Sequence, residues 1–281
     1  MILVSFADSR FSSQLRRLSR QANSTGLYRR VIALNEEGLA RGFREKHSAI
    51  LQPSCRGFGY WIWKPQVILQ ALSVAQPGEV VNYLDAGFHI APTGVERLKE
   101  YAAMAVQSDQ SLLGFKAVPP RSEALMWDGR PLPVWKNREW TKRLLLERTG
   151  KVEDETFLDD VAFEAGALFV QNVPEGVAFI ESWLALMEED YAHINDSSSP
   201  GGESPDFREH RHDQACFSIL AHDLGMPFVS SREFWYPDPR TGRPRWSENP
   251  HLPFQARRIQ KQTFGRRLRR RILQAIGRPT A

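Results

Sequence analysis

The chain has 281 residues, 42% hydrophobic and 25% charged, with a formal net charge of +4. This is an ordinary globular composition, and it holds no run of about 18 apolar residues such as a membrane span requires. The two cysteines, Cys55 and Cys216, are too far apart for a metal or redox spacing and read as packing residues in a reducing compartment.

Residues 2–7 read as a first strand, too short for the apolar region of a signal sequence and with no basic stretch before it. Asp8 follows and is a candidate contact for a base or ribose, as acidic residues near nucleotides are on α/β sheets. Residues 11–21 carry Leu15 and Leu18 among basic side chains and suggest an exposed helix. Residues 28–34, with Val31, Ile32 and Leu34, form a second strand. Arg44, Lys46 and His47 are minor polar candidates. Next comes Gly57-Phe58-Gly59-Tyr60-Trp61-Ile62-Trp63-Lys64-Pro65. Proline suits a first helical turn, a helix N-terminus attracts anions, and Lys64 adds a point charge there. The rings of Tyr60, Trp61 and Trp63 suit either stacking on a base or sugar, or a place in the core.

Residues 79–84 form a buried strand that stops at Asp85-Ala86-Gly87. Asp85 reads either as the opening of a turn or as a ligand for a metal ion or hydroxyl, with Gly87 letting a ligand reach the backbone. His89 reads as structural. Residues 96–107 suggest a helix, 111–118 a strand stopped by Pro119-Pro120, 139–148 a helix, 165–171 a buried strand and 175–191 a long amphipathic helix. Asp159-Asp160 reads as a solvated pair, and Trp127, Trp135 and Trp140 as either an acceptor platform or packing. Residues 195–206 are a loop. His210-Arg211-His212-Asp213-Gln214 then opens a helix over 213–224. Asp213 is either an N-cap or a base that takes the proton of an acceptor hydroxyl, and Arg211 suits a phosphate. Residues 227–230 suggest a short strand and 237–253 an irregular wrap.

Strands alternating with helices indicate an α/β domain over residues 1–253 with a mainly parallel sheet flanked by helices. A basic tail, 254–281, completes the chain. Residues 249–281 hold nine arginines and lysines and no acid, leaving residues 1–248 at −5. Ile259, Phe264, Leu268, Ile272, Leu273 and Ile276 interleave with these charges, a pattern suited to an amphipathic helix on an anionic membrane. No Walker loop, dinucleotide fingerprint or Gly-x-Ser-x-Gly elbow is present.

Three segments together, Gly59-Tyr60-Trp61-Ile62-Trp63-Lys64-Pro65, Tyr83-Leu84-Asp85-Ala86-Gly87 and His210-Arg211-His212-Asp213-Gln214-Ala215, resemble a group of bacterial GT-A type glycosyltransferases of surface-glycan and capsule synthesis. The resemblance spans residues 2–235. It implies a GT-A-like, Rossmann-like single domain and transfer of a sugar from a nucleoside-diphosphate donor to a glycan or lipid-linked glycan acceptor. It places Asp8, Tyr60, Trp63, Lys64, Asp85 and Gly87 at the donor, and Asp213 and Arg211 at the chemistry. Asp85 takes the position of an Asp-x-Asp metal motif, implying Mn²⁺ or Mg²⁺, although Gly87 stands where the second carboxylate belongs. The expected location is cytoplasmic, peripheral at the inner face of the membrane.

Two rival readings follow from the residues. The single carboxylate suits a non-catalytic sugar- or nucleotide-binding module on the same fold. The basic tail suits nucleic-acid binding, which the acidic body opposes.

Overall fold

The structure, a computed structural model, describes residues 1–116, 118, 126–127, 130–131, 134–235 and 251–256. The side chain of Trp127, the expected wrap up to residue 250 and the tail beyond 256 lie outside this description. The first half runs β1 (Ile2–Phe6), α1 (Ser12–Ser24), β2 (Arg30–Leu34), α2 (Arg41–Lys46), α3 (Gly57–Tyr60), α4 (Trp63–Leu72), β3 (Val80–Leu84), β4 (Phe88–Ile90), α5 (Val95–Gln107) and β5 (Leu112–Lys116). After it come β6 (Met126–Trp127), β7 (Arg130–Pro131), α6 (Asn137–Trp140), α7 (Arg143–Arg148), α8 (Glu155–Asp159), β8 (Ala167–Gln171), α9 (Pro174–Glu189), α10 (Asp213–Leu224), β9 (Phe228–Ser230) and β10 (Phe254–Ala256).

Six strands form one sheet in the order β2-β1-β3-β8-β5-β9. The pairs β1–β2, β1–β3 and β5–β9 are parallel, whereas β8 runs antiparallel to both β3 and β5. The sheet is thus mixed and mainly parallel, as the alternation of elements predicts. Every residue of β1, β3 and β5 is buried, which explains their mostly apolar sequences, with Ser5, Asn82 and Lys116 the buried polar exceptions. Side chains alternate between faces. Ile2, Val4, Phe6, Val81 and Tyr83 join the core made with Ile68 of α4, Trp183 of α9 and Phe217 of α10. Leu3, Val80 and Leu84 join the other, with Leu18 of α1 and Tyr101 of α5. Each such aliphatic or aromatic side chain contributes about 1.5–3 kcal/mol by leaving water.

This topology fixes where a ligand can sit. From β1 the chain crosses through α1 to β2 on one side, and β3 pairs with β1 on the other. The loops leaving β1 and β3 therefore part at a switch point, where open α/β sheets form a crevice. Asp8 and Asp85 stand on those two loops. Ala7, Leu15 and Ala86 pack the loops together.

Four expectations need correction. The helix over 11–21 is exposed on one side only, since Leu15, Leu18 and Ala22 are buried. The helix over 139–148 breaks between α6 and α7, because Lys142 is drawn into the core. Its Nζ donates to Ala192 O at 2.6 Å, Ser197 O at 3.0 Å and Asn195 Oδ1 at 3.2 Å. Asp160 is not simply solvated: its Oδ2 meets Lys116 Nζ at 2.6 Å and His222 Nδ1 at 3.0 Å. The body does not stop at 253, because β10 pairs antiparallel with β4 and Phe254 is buried. Gly94 makes that docking possible, as a Cβ there would lie 2.3 Å from Pro253 N. Among the described residues no helix is long and apolar enough to cross a membrane.

Candidate active site

The turn before α4 shapes the site. Gly57, Phe58, Gly59, Tyr60 and Trp61 all have positive φ, at 61°, 56°, 93°, 52° and 62°. This is one left-handed turn, which costs an L-residue about 1–2 kcal/mol. Packing holds it: Phe58 is buried, and Trp63 Nε1 donates to Gly57 O at 2.9 Å. It directs Trp61 to the cleft and Trp63 to the core, where the Trp63 ring stands 4.2 Å from that of Phe6. Trp63, expected at the donor, is thus a core residue. Tyr60 lies behind the cleft wall, its ring 5.4 Å from that of His212. His212 also has positive φ, 49°. Strained backbone thus gathers on both sides of one opening, a pattern met at functional sites.

Lys64 follows this turn at the head of α4. Its Nζ lies 2.6 Å from Asp213 Oδ2 and 3.5 Å from Asp85 Oδ1. Asp85, at the end of β3, is held by Asp85 N donating to Gly166 O at 2.9 Å and by Tyr83 OH donating to its Oδ1 at 2.6 Å. Asp213 is the first residue of α10, where the helix dipole favours a carboxylate. Its carbonyl accepts from Trp183 Nε1 at 3.1 Å. The N-cap position belongs to His212, not Asp213, and it makes no side-chain cap bond. Residues 64, 85 and 213, far apart in sequence, line one open cleft of about 240 Å³.

Charge and burial set the protonation states. Burial disfavours the Lys64 cation, but Asp213 and Asp85 outweigh it and hold its pKa above the ordinary lysine value. Burial pushes Asp213 up to about 6, with Lys64 pulling the other way. A further carboxylate in the cleft, Glu164, is pushed up by burial to about 7, opposed by Arg211 and Arg232. Glu164 makes no ion pair among the described residues. Arg211 lies with its guanidinium carbon 4.2 Å from the Trp140 ring centre, and its N donates to Trp140 O at 3.0 Å. Trp135 and Trp235, 5.5 Å apart, add apolar wall.

The two histidines of the motif are anchors. His210 Nε2 meets His193 O at 2.8 Å and accepts Lys142 N at Nδ1, 3.3 Å away. His212 Nδ1 meets Ile194 O at 2.6 Å. Burial lowers both pKa values, so both rings stay neutral and tie residues 193–194 to the head of α10.

Of the expected residues, Lys64, Asp85, Gly87, Arg211 and Asp213 line the cleft, and Tyr60, Trp63 and Asp8 do not. Asp8 caps the turn Ser9–Phe11, accepting Arg10 N at 2.9 Å and pairing with Arg10 Nη2 at 2.9 Å. Gly87 opens on empty space: a Cβ there would meet nothing within 4 Å, so a ligand can reach its backbone. Trp61, one of the three rings offered for stacking, also lines the cleft, and Glu164 and Trp235 join it unexpectedly.

The residues present do not fit a divalent cation at Asp85. Among the described residues no three His, Cys, Asp or Glu side chains converge to hold one. Oδ1 already has Tyr83 OH and the Lys64 ammonium beside it. An ion bound there at about 2.1 Å would also stand within about 5.6 Å of that positive charge.

No protein-family model matches the sequence, and no curated protein matches it significantly. Among solved structures the chain is similar to mouse xyloside xylosyltransferase 1 in its apo form, with 11% identity, a TM-score of 0.47, and 94% of this chain and 100% of that one covered. It is also similar to the galactosyltransferase LgtC in complex with donor and acceptor sugar analogs, with 12% identity, a TM-score of 0.48, and 100% and 97% covered. A third is a glycosyltransferase involved in the glycosylation of the major capsid of PBCV-1, with 12% identity, a TM-score of 0.45, and 98% of each chain covered. Overlays this loose do not assign a family.

Proposed function

We propose that this chain is a glycosyltransferase that moves a sugar from a nucleoside-diphosphate donor to the hydroxyl of a glycan or lipid-linked glycan. One observation carries the reading: Lys64, Asp85 and Asp213 meet in an open cleft at the sheet's switch point. A diphosphate needs fixed cations, and Lys64 and Arg211 supply two. Sugar rings pack on aromatic faces, and Trp61, Trp135 and Trp235 offer them. Asp85 is 39% exposed and accepts hydroxyl hydrogen bonds.

The proton of the acceptor hydroxyl goes to a carboxylate. Asp213 is paired with Lys64, so Glu164 is the better placed acceptor: it faces the cleft, and a base works best with its pKa near ambient pH. Asp213 then holds Lys64 in position. The test is incubation of the full chain with a panel of nucleotide sugars, following release of nucleoside diphosphate by chromatography. Release with at least one donor is expected, and Glu164→Gln should slow it by about 10²–10⁴-fold. Binding without release would favour the non-catalytic module; neither binding nor release with any donor would refute the reading. The nine basic residues of 249–281 suit an anionic membrane carrying the acceptor. Flotation of the full chain with anionic but not with neutral vesicles is the expected result.

A further inference from the structure

We infer that the Lys64 ammonium takes the place of a divalent cation in this cleft, so that the chain binds its donor and releases the nucleoside diphosphate without a metal ion. The inference rests on the reading of the cleft as a nucleotide-sugar site.

A divalent ion serving a diphosphate is usually held by one or two carboxylates, with phosphate oxygens and water completing its shell. Two of the three carboxylates that line this cleft, Asp85 and Asp213, already enclose a cation. Lys64 Nζ lies 2.6 Å from one and 3.5 Å from the other, and the side chain is only 4% exposed. It leaves the head of α4 between Trp63 and Pro65, both buried. Gly87 gives Asp85 no carboxylate partner two residues on, and Tyr83 OH occupies Asp85 Oδ1 at 2.6 Å.

An ammonium carries three N–H donors, and its ion pairs with Asp213 and Asp85 engage at most two. The third is left for a phosphate oxygen in the cleft that Lys64 lines. Arg211, its guanidinium carbon 4.2 Å from the Trp140 ring centre and its side chain 38% exposed, supplies a second cation whose planar fork suits phosphate. During transfer the bond from the anomeric carbon to the terminal phosphate oxygen breaks, and its electron pair stays on that oxygen. The acceptor oxygen bonds to the anomeric carbon and loses its proton to a cleft carboxylate. Lys64 keeps its proton and stabilises the charge gathering on the departing diphosphate.

The test is calorimetric titration of the full chain with UDP, GDP, ADP, CDP and dTDP, in excess EDTA and again with Mn²⁺ in place of EDTA. The expected result is that at least one diphosphate binds equally under both conditions. A second variant probes the cation directly. Lys64→Ala empties the space between Asp85 and Asp213, so it should lose diphosphate affinity in EDTA by about tenfold or more and regain it with Mn²⁺. Three results would overturn the inference. If wild-type binding appears only with Mn²⁺, the inference falls and the nucleotide-sugar reading stands. If Lys64→Ala binds in EDTA as well as wild type does, Lys64 is not the cation used. If no diphosphate binds under either condition, the reading of the cleft falls and the inference with it. The wild-type comparison decides even where Lys64→Ala does not fold.

Discussion

Replacing Glu164 by Gln should make the protein more stable at alkaline pH and leave it unchanged in acid. Burial raises the Glu164 pKa from 4.5 to about 7. A carboxyl whose pKa is raised on folding favours the native state below its unfolded pKa. That contribution is lost as pH climbs through the folded value. Across the 2.5-unit difference, at about 1.4 kcal/mol per unit, the full effect would be roughly 3 kcal/mol. The cleft is open to water, and screening there reduces the expected value to about 1–2 kcal/mol. Glutamine keeps the shape and carries no charge, so it escapes the penalty. The assay is urea denaturation of both proteins at about pH 4 and about pH 8, below and above the two pKa values. Equal midpoints in acid and a higher midpoint for Glu164→Gln in base are expected. Parallel stability curves at all pH values would show that Glu164 titrates normally and would remove the physical basis for its role as proton acceptor.

Gly166→Ala should displace the Asp85 carboxylate, because the new Cβ would lie 3.1 Å from Asp85 Oδ2 and 3.2 Å from Phe88 Cε2. A loss of about 1–3 kcal/mol in thermal denaturation, with weaker diphosphate binding, is expected; unchanged binding would contradict it. Asp213→Asn leaves Lys64 buried with only the more distant Asp85 as counterion, and should cost about 3–5 kcal/mol in a denaturant melt, against a small change if the pair is not formed. Gly57→Ala puts a Cβ 2.4 Å from the Trp61 ring at a φ of 61°, so it should destabilise by at least about 1 kcal/mol and shift the tryptophan emission; a neutral effect would mean that the left-handed turn does not form.

The sequence made the framework legible where local and tertiary forces agree. Residues 80–84 are apolar but for the hydrogen-bonded Asn82, because both sheet faces are covered, so the position of Asp85 at the end of a strand could be read directly. The start of α10 at Asp213 was legible too, because polar residues give way to an apolar run there. Glu164 was not. It precedes β8, and β8 runs antiparallel, so its beginning lies at the edge where the parallel strands end. Strand direction depends on distant pairing partners and leaves no mark in a run of seven residues. The choice among Tyr60, Trp61 and Trp63 was equally hidden. It depends on five successive positive φ values, and aromatic residues give no local sign of that conformation. Lys142 likewise breaks a helix to reach the carbonyls of Ala192 and Ser197, 50 and 55 residues further along the chain.

The most direct measurement is a crystal structure of the full chain grown with the nucleoside diphosphate that binds best. A phosphate oxygen within hydrogen-bonding distance of Lys64 Nζ is expected, with the second phosphate near Arg211. A diphosphate bound away from the cleft between residues 64, 85 and 213 would contradict it.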